Sequence, residues 1–217
     1  MSKSMLMRLR KGASVLTEYL GAGAKGRSRA VADVDALSHF LDTRASLVAQ
    51  TTLYGYLRTR AGTRFPLLFE DDAFVVSINH AKWQMWLACL SDIAVYAGAL
   101  LGDRSRAGHA AAGALVQRLV EGILERTGTP ADSGPLFAAG AGAVRERLRR
   151  CDWPALADDE AVFTASPEAL VLHAPIVREL MVLDEEIVRN SVRFRWQEVR
   201  RDLRARLDAE AVLGHSN

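Results

Sequence analysis

The chain has 217 residues, enough for one sizeable core or at most two small domains. With 49 % apolar and 25 % charged residues it has the profile of a globular protein, not of a disordered or fibrous one. Its formal net charge of +2 hides a division that disfavours nucleic acid as a partner: two basic ends flank an acidic body, which would repel a phosphate backbone.

Residues 1–29 hold seven basic residues and one acidic residue. Within them Met5, Leu6, Leu9, Ala13, Leu16 and Leu20 can share one helical face, and the Gly-rich stretch 21–29 reads as a linker. The uninterrupted apolar run of a signal peptide is missing, so a cytoplasmic location is expected. The ordered domain is predicted to span 30–213.

From Asp33 to about Arg60, apolar residues recur at spacings of three and four, predicting an amphipathic helix that stops before Gly62 and Pro66. The acidic trio Glu70, Asp71 and Asp72 then marks the start of a second helix, predicted over 72–101. Its stretch Trp83–Gly102 carries a single charge, Asp92, near the middle of twenty residues. That length matches one bilayer crossing. A central aspartate, however, costs about 2.5–3.5 kcal/mol on insertion scales, and the neighbouring helices are amphipathic, as helices wrapped around a core helix should be. The stretch is therefore read as the buried axis of a bundle. Asp92 then needs a partner, and Arg44, Arg58 and Arg60 on the preceding helix are the nearest candidates in sequence.

A third helix is predicted over Ala107–Arg126, stopped by Gly128 and Pro130, and a short one over Ala141–Arg150. Ser166, Pro167 and Glu168 resemble a cap, a first-turn proline and a first-turn acid. After Pro175 comes a helix of more than thirty residues whose predicted core row is Ile176, Leu180, Leu183, Ile187 and Phe194, continued by Leu203 and Leu207. No alternating strand pattern occurs. The predicted fold is all-α, a bundle of five or six helices around the central apolar helix, with a long C-terminal helix.

Candidate chemistry is sparse. Ser77 and His80 lie three apart on one helical face, and with Asp92 or Asp71 to orient the imidazole they form a conceivable hydrolytic set; Cys89 with His80 is a weaker pair. No GxSxG elbow accompanies them. Phosphate-binding glycine motifs and Glu-x-x-His pairs are missing too, so neither a cofactor nor a metal is expected. Tyr54, Tyr56, His80 and Trp83 are candidate lining for a small-molecule pocket. Cys89 and Cys151 show no metal-ligand spacing.

The C-terminal segment offers a partner-binding surface: Arg193, Phe194, Arg195, Trp196, Arg200, Arg201 and Arg204 mix cations with large aromatics. The expectation is a non-catalytic interaction or assembly protein. It would dock through its basic ends on an acidic protein, on a second copy through the C-terminal helix, or on an anionic membrane surface. The alternative is a small-molecule binder or ester hydrolase built around Ser77, His80 and Asp92.

Overall fold

Capping residues set the first helices where the sequence places them. The computed structural model describes residues 30–156, 158 and 160–214; the predicted N-terminal amphipathic segment lies outside them. Helix α1 (Val34–Ala61) starts at Asp33, whose carboxylate accepts from the Ala36 N–H at 2.6 Å, and ends at Gly62 with φ 55°. A 3-10 stretch, Gly62–Glu70, leads to α2 (Asp72–Arg104), whose N-terminal N–H groups at Ala73 and Phe74 donate to Asp71. Helix α3 (Gly108–Thr127) stops at Gly128. Then come α4 (Phe137–Arg149), α5 (Ala165–His173), α6 (Arg178–Arg206) and the six-residue α7 (Ala209–Gly214).

Helix α2 is the axis. It packs against α1, α3, α4 and α5, and 94 % of its most apolar 18-residue window is buried in the fold. Protein surrounds this helix, as the amphipathic character of its neighbours implies. Short side chains let the wrapping elements approach closely. The Trp153 indole lies in a slot between Gly98 of α2 and Gly113 of α3; a Cβ on Gly113 would stand 2.5 Å from the ring nitrogen, and one on Gly98 would run into the six-membered ring. We expect Gly98→Ala to cost about 1–3 kcal/mol by overpacking this slot. Urea unfolding measures it, and an unchanged midpoint would mean that the indole sits elsewhere.

The ends of the described chain are tied together. The Val31 N–H donates to the Arg206 carbonyl at 2.9 Å, and the Asp208 N–H donates to the Val31 carbonyl at 3.0 Å. Val31 is therefore held beside the C-terminal end of α6.

The long C-terminal helix forms; of the expected core row Leu203 is buried and Ile176 and Leu207 pack against the core, but the middle of the row faces outward and a different row takes its place. Met181, Val188, Val192, Trp196, Val199 and Leu203 enter the core. Leu183, Ile187 and Phe194 are 75 %, 71 % and 68 % exposed, and Leu180 is exposed as well. Two apolar rows compete for the core on this helix. The buried one keeps its spacing of three or four from Val188 to Leu203. The other is interrupted by Asn190 and reaches Arg201 two turns beyond Phe194.

Candidate functional site

Asp92 has no exposed surface, and its partner is none of Arg44, Arg58 or Arg60. Arg44 pairs with Asp202 and Arg60 with Asp184. The cation at Asp92 is Arg147 of α4, whose Nη1 donates to Oδ1 at 2.6 Å. The same oxygen accepts from the N–H groups of Thr164 and Ala165, while Oδ2 accepts from the Ser166 N–H (2.8 Å) and the Ser166 hydroxyl (2.6 Å). Asp92 thus caps α5 from another helix, the place where the sequence suggested Ser166 as cap. Trp196 of α6 donates its indole N–H to the Ser166 oxygen at 2.9 Å and stacks on Phe163, so the carboxylate joins α2, α4, α5 and α6. Its five contacts are all internal donors. That leaves no lone pair directed at a substrate.

The polar approach to the apolar stretch divides between two shallow clefts. Ser77, His80, Gln84 and His173 line one of about 220 Å³, while Asp42, Gln50, Lys82, Trp83 and Trp86 line the other, of about 290 Å³. His173, an isolated histidine in the sequence and read there as a surface or core residue, lines the same cleft as His80 from the end of α5, and burial lowers its pKa. Gly134, with φ 73°, lies so close to the His80 ring that a Cβ there would come within 2.5 Å of it. The Ser77 hydroxyl donates to the Ala73 carbonyl at 2.9 Å, back into its own helix. Gln84 is buried beside the first cleft, and its side-chain nitrogen has no hydrogen-bond partner among the described residues.

Trp83 lines a different cleft from Ser77 and His80, and Tyr54 and Tyr56 line neither. Trp83 donates to Asp132 at 2.7 Å and Lys82 holds the other oxygen of that carboxylate at 2.8 Å, which fastens the loop before α4 to α2. Tyr56 donates to Asp184 at 2.9 Å; burial and that bond push its hydroxyl up to about 12. Burial, with the Asp132 charge, raises the Tyr54 hydroxyl too. Cys89 is buried, and desolvation with the nearby Asp92 charge holds its thiol well above the usual range, so it is no nucleophile. Ser77, His80, Trp83, Asp92 and the two tyrosines therefore share no single cavity.

No protein-family model, curated protein or solved structure matches the chain significantly.

The third surface is the outward side of α6. Of the arginines singled out there, Arg200 and Arg204 belong to the fold. The Arg200 guanidinium lies over the Tyr96 ring and donates to the Asp158 carbonyl; Arg204 donates to the Tyr96 hydroxyl at 2.9 Å and to the Asp158 carboxylate at 3.0 Å. Trp196 is buried. Arg189, outside the predicted set, forms a two-pronged pair with Glu168 of α5. What faces solvent is Arg193, Phe194, Arg195 and Arg201, and next to them the row Leu180, Leu183 and Ile187, flanked by exposed Glu179 and Glu186. The apolar part of this surface was assigned to the core in sequence. Its signal in the sequence is the presence of two apolar rows on one helix, of which only one can face the core.

Proposed function

We propose that the chain is a non-catalytic helical docking protein whose binding surface is the outward face of α6. The observation that carries this reading is the row Leu180, Leu183, Ile187 and Phe194 on the side of the helix away from the core. Single exposed apolar residues are ordinary, but an ordered row on one helix suits the apolar face of a partner helix. Arg193 and Arg195 at one end would meet acidic side chains of that partner. Glu179 and Glu186 at the other end count against an anionic membrane, so a protein partner is favoured over lipid.

A photo-crosslinking amino acid in place of Ile187, in the full chain within its own cells, tests this. The expected result is an adduct with another protein chain that does not form from the same group in place of the exposed Arg149. No adduct at 187, or the same set of adducts from both positions, contradicts the reading.

A second reading has one observation in its favour. The unpaired Gln84 nitrogen beside His80 and His173 would suit a small neutral ligand that carries a hydrogen-bond acceptor. Ester hydrolysis has less support, since among the described residues no carboxylate is bonded to His80 and the Ser77 hydroxyl is bonded within its helix.

A further inference from the structure

Helix α6 packs against α5 and α1, and the side turned away from them has two unlike halves. The N-terminal half presents Leu180, Leu183 and Ile187 beside the exposed acids Glu179 and Glu186. The C-terminal half presents Phe194 beside the exposed cations Arg193, Arg195 and Arg201, with Glu198 as its single exposed acid. The face is thus acidic at one end, basic at the other and apolar between them. We propose that it binds the same face of a second copy of this chain, antiparallel, about a two-fold axis at the level of Val188 and Arg189. This rests on the reading of the outward face of α6 as the docking surface and names its partner.

Spacing sets the layers of the contact. Positions 180, 183, 187, 190, 194 and 197 recur at alternating intervals of three and four, the spacing of a coiled-coil seam. In the antiparallel pair Leu183 meets the partner's Phe194 and Ile187 meets the partner's Asn190, each contact occurring twice by symmetry. Leu183 and Phe194, 75 % and 68 % exposed in the single chain, then cover each other. Asn190 is the one polar residue inside the row, and a polar seam position needs a polar mate. Self-pairing supplies one, because the two Asn190 stand about 4.5 Å apart along the axis and their amides can bond across it.

Charge sets the orientation and the register. One flank of the seam holds positions 179, 186 and 193, and the antiparallel pair brings Glu186 beside the partner's Arg193 twice over. Among the described residues neither group forms an ion pair within the fold. Arg193 bonds the neutral Asn190 amide oxygen at 3.2 Å, and Glu168, whose charge it also feels, is held by Arg189. Asp184 and Glu185 take no part, since the fold pairs them with Arg60, Arg178 and Arg189. Sliding the pair by one heptad sets Glu186 against Glu186 in one direction and Arg193 against Arg193 in the other. A parallel pair lays acidic half on acidic half. The contact runs over about 26 Å of helix, less than a standard interface of roughly 1,600 Å² requires, so the dimer should be reversible, with a dissociation constant on the order of 10 µM.

Light scattering and sedimentation of the full chain from about 1 to 200 µM test this, and a shift from monomer to dimer across that range is expected. Glu186→Arg and Arg193→Glu should each weaken the dimer at least about ten-fold. Both changes in one chain rebuild the pair with its signs exchanged and should restore it. Mild oxidation reads the orientation. A mixture of Leu183→Cys and Phe194→Cys chains should yield peptides joined from 183 to 194, and neither chain alone should join to itself at the new cysteine. A chain that stays monomeric throughout overturns the dimer, while an in-cell adduct at 187 with a different protein would then leave the docking surface standing. A dimer indifferent to the charge changes, or one joined from 183 to 183, overturns the antiparallel register.

Discussion

Asp92→Ala should lower the stability of the fold by about 3–5 kcal/mol, with a fall of roughly 10 °C in the melting midpoint. The substitution removes the acceptor for Arg147, for three backbone N–H groups at the start of α5 and for the Ser166 hydroxyl. The backbone N–H groups and the Ser166 hydroxyl lie in or beside the core, whereas the Arg147 guanidinium keeps Ser91, the Val162 carbonyl and Thr164 as acceptors. An unmatched buried donor carries its desolvation cost in full. Asp92→Asn should recover little of the loss. All five partners are donors, so an amide, whichever way it turns, sets its own N–H groups against others. Chemical unfolding of both variants measures this. A variant within about 1 kcal/mol of the parent would return Asp92 to the list of functional carboxylates.

The role of Asp92 shows where a sequence stops being informative. Its burial was legible, because a lone charge in an apolar helix with amphipathic neighbours has to lie inside. Its partner was not. Proximity in the chain favoured the arginines of α1, but α4 returns to the same side of α2 as α5, and it carries Arg147 across 55 residues of sequence separation. The capping of α5 by a residue of α2 is equally nonlocal, and Ser166, which looks like a cap, lies inside the first turn. The starts of α1 and α2 and the end of α3 were readable because Asp33, Asp71 and Gly128 act on their own helices. The Trp153 slot needed Gly98 and Gly113 side by side, and no local pattern announces such a meeting.

The candidate surfaces followed the same division. The arginines of α6 could be counted in sequence, but which of them the fold uses depended on Tyr96 and Asp158, both distant in the chain. Pattern alone could not choose between the two apolar rows of α6, since both satisfy helical spacing. The chosen core row ends in Trp196 and Leu203, near the bond to Val31 that closes the fold. The rejected one has Asn190 in its middle.

Neighbouring residues of α6 consequently lie in opposite surroundings: Ile187 is 71 % exposed and Val188 is 1 % exposed. Val188→Asp buries a charge without a partner and should prevent folding or cost well over about 4 kcal/mol. Ile187→Asp adds a charge where Glu186 already meets solvent. It should cost no more than about 1 kcal/mol. Comparing the urea unfolding midpoints of these two variants decides whether the row is a surface to be bound or part of the core. The account predicts a near-parental midpoint for Ile187→Asp and a collapse for Val188→Asp. An equal collapse of both would mean that the outward face of α6 is core, and would remove the docking surface with it.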